Sequence, residues 1–465
     1  MRNGITPIDS QQLDVLLSIQ ESHFVDVKSA QITPAKLSQS ISGFANSGGG
    51  EIYVGIAEGP TEDRNARKVD GFTNVEAANP IFQVLNEVAP LGGLYEFEFL
   101  QAEDLNLILK LTIFKHSGIV YSTDQRCYIR KNAQNLRIEG ERIEQLKYDK
   151  GLQSFEDSIV NDITVDEIAN SATIISFLLD IVPNTEPENW LIKQRLIIKD
   201  RPSVASILLF SDNPQAILSK RSAVKILRYK TDDEAERDYL AFDPITVEGP
   251  VYNLIYDAVK RVKIEVEKIQ KLTPKGLVDI EYPENALHEI LTNAVLHRDY
   301  NITTDIQIRI FDNRLEIESP GKLPGHITVD NIIENQFARN PKLVRLINKF
   351  KNPPNKDVGE GLNTAFEAME KLRLKQPEIF ERDNSVLVLL RHESLDSPEQ
   401  IVMEYLKNND EITNQIARRL TGIKSENQMK DVFVNLRNEG WLERNDRPGK
   451  KYTWRKTVRN DEIQE

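Results

Sequence analysis

In the first 150 residues, a stretch with the hydrophobic spacing of a helix is followed by one with the alternation of a strand. Lys36–Ala45 carries apolar side chains at helical spacing, and the glycines of Ser47–Gly50 end that pattern. Glu51–Ile56 then alternates between apolar and polar positions, which predicts a half-buried strand. A second pair of strands is predicted at Leu107–Phe114 and Cys127–Arg130. Residues 1–150 are therefore expected to form an α+β domain.

The pattern from residue 151 to residue 275 predicts an α/β connector. Ser203–Phe210 and Val224–Tyr229 have the length and composition of strands, and Val251–Ile269 has the spacing of a long amphipathic helix. The composition of this segment indicates no chemistry of its own.

The segment 276–394 is expected to form another α/β layer structure. It begins with a helix, Glu284–Leu296, which is entered through Pro283. A hairpin follows, with strands Asp305–Phe311 and Arg314–Glu318 joined by a two-residue turn.

The last segment, residues 395–465, has the pattern of a winged helix. Three helices are predicted, the last two at Glu411–Leu420 and Ser425–Glu439 with a turn between them. A hairpin across Asp446–Gly449 then completes the wing. The overall fold class is therefore an α/β multidomain protein.

Composition narrows the class of protein. A chain of 465 residues suggests three or four domains, and no apolar run approaches the roughly 18–20 residues that a membrane span needs. The N-terminus lacks an apolar signal region, so a cytoplasmic protein without a membrane partner is expected. The single cysteine excludes an internal disulfide and a zinc site built from several cysteines.

Charge is distributed unevenly. The formal net charge is −13, yet residues 411–460 contain 12 Lys and Arg against 6 Asp and Glu, a local balance of +6. Because salt screens charges beyond about 8–10 Å, such a local surplus still attracts a phosphate backbone.

The helix at Glu284–Leu296 carries a candidate nucleotide site. Glu289 and Asn293 are four residues apart and share one helical face, and His297 lies a further turn along it. An amide oxygen can coordinate Mg²⁺, and a neighbouring carboxylate can polarise water. Gly359 and Gly361 precede another helix, where backbone N–H groups can approach phosphate.

Four stretches in this region resemble the GHKL (Bergerat-fold) domain of bacterial ATP-binding regulators that contain a helix-turn-helix: Asn285–Tyr300, Asp312–Pro324, Ala338–Pro341 and Gly359–Gly361. The resemblance implies an α/β sandwich that binds ATP with Mg²⁺. It implies Glu289 as the general base of any ATPase activity and Asn293 as the Mg²⁺ ligand. It also implies cofactor contacts at His297, Gly321, Arg339, Asn340, Gly359 and Gly361. The sequence departs from the family's Asp-x-Gly-x-Gly box, since Ile317–Gly321 contains no Asp.

The N-terminal motif Glu21–Lys28, followed by Ile41–Gly50 and Glu51–Ile56, resembles the AlbA-like domain of Schlafen proteins. The resemblance implies nucleic-acid binding, with contacts at Lys28, Asn46, Gly48 and Gly49. It also leaves open a metal-dependent nuclease, in which Glu21, Asp26 and Glu58 would be catalytic. Glu21 and Asp26 would then hold Mg²⁺ or Mn²⁺.

The predicted winged helix supplies a second set of candidate nucleic-acid contacts. Four residues at the start of its recognition helix are placed to reach base edges, and three lie on the wing, where phosphate contacts are expected: Ser425, Asn427, Gln428, Lys430, Arg447, Lys450 and Lys451.

Together the segments predict an ATP-binding regulator that binds DNA or RNA and forms a homo-oligomer. The long helix at Val251–Ile269 and the family resemblance both favour the oligomer. The alternative is an effector nuclease of antiviral defence, gated by nucleotide.

Overall fold

The computed structural model describes residues 5–59, 67–88, 95–102, 105–273, 276–354, 361–371, 374–392, 397–445 and 452–457. The chain divides into two compact units. The first contains Met1–Phe155 together with Lys322–Asn340, and the second contains Glu156–Gly321 together with Pro341–Glu465. Within the described residues, no helix combines the length and the apolar character that a membrane crossing requires.

The first unit contains four helices and nine strands in its described part. The helices are Ser10–Ser18 (α1), Pro34–Asn46 (α2), Asn79–Glu87 (α3) and Glu141–Asp149 (α4). The strands are Ile5–Ile8 (β1), Val25–Lys28 (β2), Gly50–Val54 (β3), Ile56–Ala57 (β4), Lys68–Val69 (β5), Tyr95–Ala102 (β6), Ile108–Ile113 (β7), Cys127–Lys131 (β8) and Gln134–Ile138 (β9). The predicted helix at Lys36–Ala45 and the predicted strands of this region are confirmed.

A five-stranded mixed sheet in the order β1-β6-β7-β3-β2 organises the first unit. Strands β2 and β3 are parallel, and β3 pairs with β7 in the antiparallel sense. One face of the sheet packs against α2 and α3 through a core that includes Leu37, Phe44, Ile52 and Leu111. Because β2 pairs with β3, and Ser40 of α2 donates a hydrogen bond to Asp26 of β2, the motifs at residues 21–28 and 46–50 lie on adjoining elements.

The second unit contains twelve helices and twelve strands in its described part. The helices are Val165–Ala169 (α5), Ala172–Ile181 (α6), Pro187–Lys193 (α7), Val204–Phe210 (α8), Pro214–Ile217 (α9), Val251–Val266 (α10), Glu284–Leu296 (α11), Pro341–Ile347 (α12), Gly361–Lys371 (α13), Pro398–Asn408 (α14), Asn414–Thr421 (α15) and Glu426–Asn438 (α16). The strands are Ile197–Ile198 (β10), Arg201–Pro202 (β11), Ala223–Arg228 (β12), Ile245–Glu248 (β13), Gln270–Thr273 (β14), Gly276–Asp279 (β15), Ile306–Ile310 (β16), Arg314–Pro320 (β17), Glu378–Glu381 (β18), Ser385–Arg391 (β19), Leu442–Asn445 (β20) and Thr453–Lys456 (β21).

A six-stranded mixed sheet in the order β13-β12-β16-β17-β19-β18 forms the centre of the second unit. Helix α11 packs against β17 and is contacted by both α10 and α13. Strands β12 and β13 come from the predicted 151–275 connector, so the sheet crosses the domain boundary expected at residue 275. The connector thus supplies part of the framework that supports α11.

The strand predicted at Ser203–Phe210 is wrong. The segment forms helix α8, and the hydroxyl of Ser203 caps it by accepting a hydrogen bond from the backbone N–H of Ser206. All seven residues of α8 are buried. A short apolar run that is buried on every side lacks the periodicity that separates a helix from a strand.

Helix α10 matches the predicted amphipathic helix, but its apolar face is used inside the unit. Leu254, Ile255, Ala258 and Val262 on this helix are all buried. The helix therefore gives no support to the predicted homo-oligomer, which stays a prediction.

The C-terminal part of the second unit has the predicted order of three helices and a hairpin. Helices α14, α15 and α16 surround a separate core that includes Val402, Met429, Phe433 and Trp454. Strands β20 and β21 pair in the antiparallel sense, and the tip of their hairpin lies outside the described residues. This core fixes which side of α16 faces solvent.

Candidate functional site

Helix α11 presents Glu289 and Asn293 as a hydrogen-bonded pair. The amide nitrogen of Asn293 donates to Glu289 Oε1 at 2.8 Å. This bond turns the amide oxygen of Asn293 away from the carboxylate, in the orientation that a ligand to a hard cation needs. His297 follows directly after the last residue of α11, and its backbone N–H donates to the carbonyl of Asn293 at 3.0 Å.

The electrostatics around Glu289 suit proton transfer. Burial raises the pKa of its carboxyl group above the ordinary value, and the hydrogen bond from Asn293 offsets only part of that effect. A carboxylate with a raised pKa is a stronger base near neutral pH. Asn293 can therefore orient a cation, and Glu289 can accept a proton.

The turn that follows β17 is held against the segment after α11. Gly321 has a φ of +106°, and a Cβ atom built on it would lie 2.6 Å from the Cβ of Asp299. The backbone N–H of Asp299 donates to the carbonyl of Pro320 at 2.8 Å. Glycine is therefore required at residue 321 both for the backbone conformation and for the close approach.

Arg298 and Tyr300 are structurally important residues for which we predicted no individual role. The guanidinium of Arg298 is 1% exposed and donates to four backbone carbonyls, those of Lys220, Arg221, Ile302 and Thr304. Burial lowers its pKa to about 10. The hydroxyl of Tyr300 donates to the carbonyl of Val295 at 3.1 Å. The sequence feature that could have indicated these roles is the run of charged and aromatic residues directly after the apolar helix α11.

Arg339 and Asn340 lie in the first unit, whereas Glu289 and Asn293 lie in the second. The guanidinium of Arg339 donates to the carbonyls of Tyr148 at 2.7 Å and of Lys322 at 2.5 Å. The side chain of Asn340 accepts a hydrogen bond from Ser154 at 3.2 Å. Their predicted cofactor contacts stay a prediction, and the described bonds give both residues a structural task.

Gly361 is the first residue of helix α13, and its predicted contact with phosphate stays a prediction. Gly359 lies outside the described residues. Because α13 packs against α11, the start of this helix belongs to the same layer as the Glu289–Asn293 pair.

In the first unit, Asp26 is the centre of an ion cluster. Its carboxylate is 0% exposed and accepts hydrogen bonds from Lys28 Nζ at 2.7 Å, Arg130 Nη2 at 3.2 Å and Ser40 Oγ at 2.8 Å. Glu21 also accepts a bond from Lys28 Nζ at 3.1 Å. Burial by itself would raise the pKa of Asp26, but its hydrogen bonds and the charges of Lys28 and Arg130 outweigh burial, so the pKa is lowered.

Glu58 does not complete a metal site with this cluster. It is exposed beyond the end of β4. Across the described ranges, which include Glu21, Asp26 and Glu58, no three His, Cys, Asp or Glu side chains are placed to hold a metal ion. The predicted catalytic roles of Glu21, Asp26 and Glu58, and their binding of Mg²⁺ or Mn²⁺, stay predictions.

Asn46 is an internal clamp rather than a surface contact. Its side chain is 4% exposed, and its amide nitrogen donates to the carbonyls of Val120 at 2.7 Å and Tyr128 at 2.9 Å. Its amide oxygen accepts the backbone N–H of Val120 at 2.9 Å. The predicted nucleic-acid contact through Asn46 stays a prediction, and the described bonds give its amide group a structural role between Val120 and Tyr128.

The glycine turn after α2 is shaped by close neighbours. A Cβ on Gly48 would lie 3.0 Å from the ring of Phe24, and Gly49 has a φ of +82° with the carbonyl of Ile113 2.8 Å from its Cβ position. The ring of Phe24 is 56% exposed beside this turn. The turn therefore presents backbone and one aromatic ring at the surface.

Helix α16 carries its predicted contacts on an exposed first turn. Ser425 caps the helix through a bond from the backbone N–H of Gln428 at 3.3 Å. Asn427 and Gln428 are exposed, and Lys430 pairs with Glu426 at 2.9 Å. The wing residues Arg447, Lys450 and Lys451 lie outside the described residues.

Comparison with known proteins identifies two segments. Residues 21–139 match the family described as "Schlafen, AlbA_2", and residues 303–390 match the family described as "Putative ATP-dependent DNA helicase recG C-terminal". The second match begins after α11, so Glu289 and Asn293 precede it. No curated protein matches the chain. Among solved structures, the DIP2311 protein from Corynebacterium diphtheriae is 17% identical over 96% of each chain, with a TM-score of 0.41.

Replacing Asp26 with Asn is expected to destabilise the first unit by about 3–5 kcal/mol, because Arg130 would keep a buried charge without its partner. Since the pKa of Asp26 is lowered, the wild-type advantage is present above the ordinary value of 3.8 and is lost as the pH falls through the folded pKa. Amide hydrogen exchange in β2 and β3 measures the difference. The exposed Asp124, which pairs with Arg126 at 3.3 Å, provides the control Asp124→Asn, for which a loss of about 0–1 kcal/mol is expected. Equal losses in both variants would contradict the cluster's structural role.

Replacing Gly321 with Ala is expected to destabilise the second unit through both backbone strain and collision with Asp299. Gly249 has a φ of +132° and no atom within 4 Å of its Cβ position, so Gly249→Ala measures strain alone, of order 1–3 kcal/mol. All three tryptophans, Trp190, Trp441 and Trp454, lie in the second unit, so tryptophan fluorescence during urea unfolding monitors it. If Gly321→Ala and Gly249→Ala lose equal stability, collision with Asp299 contributes nothing to the destabilisation and the prediction is wrong.

Proposed function

We propose that this chain, which joins a Schlafen AlbA_2 domain to an ATPase-type domain, is an ATP-binding regulator that binds nucleic acid. The observation that carries the proposal is the Glu289–Asn293 pair on α11. It lies directly before the segment that matches the ATPase-type family. An ATPase-type domain implies ATP as the ligand, and Mg²⁺ accompanies ATP.

In this proposal the residues of the second unit divide the work of holding the nucleotide. Asn293 would supply an amide oxygen to Mg²⁺, and the cation would neutralise phosphate charge when bound with the nucleotide. Glu289 holds a water and accepts its proton if hydrolysis takes place. Gly321 shapes the turn at the end of β17, and the backbone at Gly361, where α13 begins, would contact phosphate.

The nucleic-acid-binding part of the proposal rests on two surfaces. The AlbA_2 domain offers the glycine turn at Gly48–Gly49 with the exposed ring of Phe24. The C-terminal helices and hairpin have the order of elements of a DNA-binding winged helix, in which α16 would enter the major groove with Asn427 and Gln428 exposed at its start. The +6 balance of residues 411–460 supports a phosphate contact there.

The nuclease alternative is favoured by one observation: Lys28 Nζ donates to both Glu21 and Asp26, so the two carboxylates lie within one cluster. Against it, Lys28 and Arg130 already neutralise Asp26. Incubation of the protein with duplex DNA, single-stranded DNA and tRNA in Mg²⁺, with and without ATP, decides between the two functions. If the wild type cleaves nucleic acid and Glu21→Gln does not, the protein is an effector nuclease rather than a regulator.

Replacing Asn293 with Ala is expected to weaken ATP binding at least tenfold, about 1.4 kcal/mol, because the cation loses a ligand. Isothermal titration with Mg²⁺–ATP measures the dissociation constant, and the ATP-induced rise in melting temperature provides a second readout. Asn285→Ala is the matched control, because Asn285 is exposed on the same helix. An unchanged affinity in Asn293→Ala, or no ATP binding by the wild type, would overturn the proposed nucleotide site.

Replacing Lys430 with Gln is expected to weaken binding to a fluorescein-labelled random-sequence duplex DNA. The slope of log affinity against log salt concentration should fall by about 0.9, the contribution of one phosphate contact. Lys407→Gln is the control, since Lys407 forms a similar ion pair with Glu404 on α14. If Lys407→Gln changes the slope as much as Lys430→Gln does, α16 is not the helix that meets the DNA.

A further inference from the structure

The segment Lys322–Asn340 connects β17 to α12 of the second unit, yet it packs within the first unit. We call this segment the strap. It lies inside the span that matches the ATPase-type family, residues 303–390, and it belongs to the same compact unit as the AlbA_2 domain. The strap is therefore one piece of chain shared by the two functional parts of the protein.

Specific bonds fix the two points at which the strap leaves the second unit. At its start, Gly321 adopts its positive φ against Asp299, and the neighbouring Ser319 donates its hydroxyl to the carbonyl of Ala294 in α11 at 2.6 Å. At its end, both carboxylate oxygens of the buried Glu156 accept backbone N–H groups from the first turn of α12, at 2.8 and 2.9 Å. The start of the strap is thus tied to the helix that carries Glu289 and Asn293.

The strap itself is held in the first unit by cations that donate to backbone carbonyls. Lys115 Nζ donates to the carbonyls of Leu323 and Ile327, both at 2.8 Å. At the far end of the strap, Arg339 donates to the carbonyl of Tyr148 at 2.7 Å. The backbone N–H of Gly325 donates to the carbonyl of Lys150 at 3.0 Å.

The same contacts continue to the glycine turn of the AlbA_2 domain. The buried ammonium group of Lys150 donates to the carbonyls of Ala45 at 3.1 Å and His116 at 2.5 Å. The backbone N–H of His116 donates to the carbonyl of Ala45 at 2.9 Å. Ala45 lies next to Asn46, the clamp residue that precedes the turn. A displacement of the strap would therefore act on Lys115 and Lys150, and through them on the end of α2.

We infer that the strap couples the nucleotide site to the nucleic-acid-binding surface of the AlbA_2 domain. This inference rests on the proposed function. Nucleotide binding beside α11 shifts the backbone at Gly321, where the strap begins, and the strap carries that shift to the Lys115–Lys150 contacts in the first unit. A physical coupling of this kind is a free energy between two sites, so it is measured as the change in one affinity that the other ligand produces.

The test uses Lys115→Met in the full chain, which removes both bonds to the strap while keeping an unbranched side chain that is only one heavy atom shorter. The quantity measured is the ratio of the dissociation constants for single-stranded RNA of random sequence without and with saturating Mg²⁺–ATP. The wild-type ratio is expected to differ from one by roughly 5-fold or more, the usual range of allosteric coupling. In Lys115→Met the ratio is expected to fall within about twofold of one, with ATP affinity unchanged.

Lys110→Met is the matched control. Lys110 lies in β7 of the same unit and pairs with Glu51 at 2.6 Å, without a described bond to the strap. The ratio of RNA dissociation constants without and with Mg²⁺–ATP should be the same in Lys110→Met as in the wild type. A wild-type ratio in Lys115→Met, or an equal loss in Lys110→Met, would overturn the inference while leaving ATP binding and RNA binding established.

Hydrogen exchange in the wild-type protein tests the inference without any substitution. Amides of residues 322–340 are expected to change their exchange rates when Mg²⁺–ATP is added. If ATP raises the melting temperature but leaves these amides unchanged, the strap is not the coupling element and the nucleotide site stands. If ATP produces no rise in melting temperature, the proposed function itself fails and the inference fails with it.

Discussion

The packing of α11 against β17 is the contact on which the candidate nucleotide site depends. Helix α11 buries one side between the central sheet and its helical neighbours, which leaves Glu289 and Asn293 on a half-buried side where burial can raise a carboxyl pKa without removing access. The hydrogen bond between Ser319 and Ala294 connects α11 to the end of β17. The same strand end carries Gly321, whose positive φ directs the chain out of the sheet and into the strap. One helix–strand contact therefore positions the acid, the amide and the start of the connecting segment.

Buried cations that donate to backbone carbonyls hold the irregular segments near both functional regions. Irregular backbone leaves carbonyl groups without partners in a ladder, and a buried carbonyl without a hydrogen bond is costly. Arg298 donates hydrogen bonds to four such carbonyls around the segment after α11. Lys150 donates to two, that of Ala45 at the end of α2 and that of His116. A long side chain with several donors serves several carbonyls from one position. These segments are thus ordered by single residues, which makes them sensitive to single substitutions.

The regular elements were accessible to sequence analysis because their signals are local. Helix α11 and the β16–β17 hairpin have an apolar period, a proline at the start or a short polar turn, and they form where these features predict them. Helix α8 was predicted as a strand because its apolar run has no polar side. Asn46 was assigned to the surface because a glycine-rich context suggests an exposed turn, whereas its amide bonds depend on Val120 and Tyr128, more than 70 residues away. The strap illustrates the same limit, since no local pattern reveals which unit a connecting segment packs against.

Charge compensation constrains how this acidic chain can bind nucleic acid. In the first unit Lys28 is already paired with both Glu21 and Asp26, so a phosphate that approaches Lys28 competes with two carboxylates. On α16, Lys430 is paired with Glu426, but that pair is largely exposed and its loss costs little. Of the two surfaces in the proposal, the start of α16 is therefore the one where phosphate contact would require the least rearrangement. Contact in the first unit would have to come from the glycine turn, the ring of Phe24 or a rearranged ion cluster. Because Lys28 has two carboxylate partners, phosphate binding there would have to offset the loss of two ion pairs, whereas at Lys430 it would have to offset the loss of one.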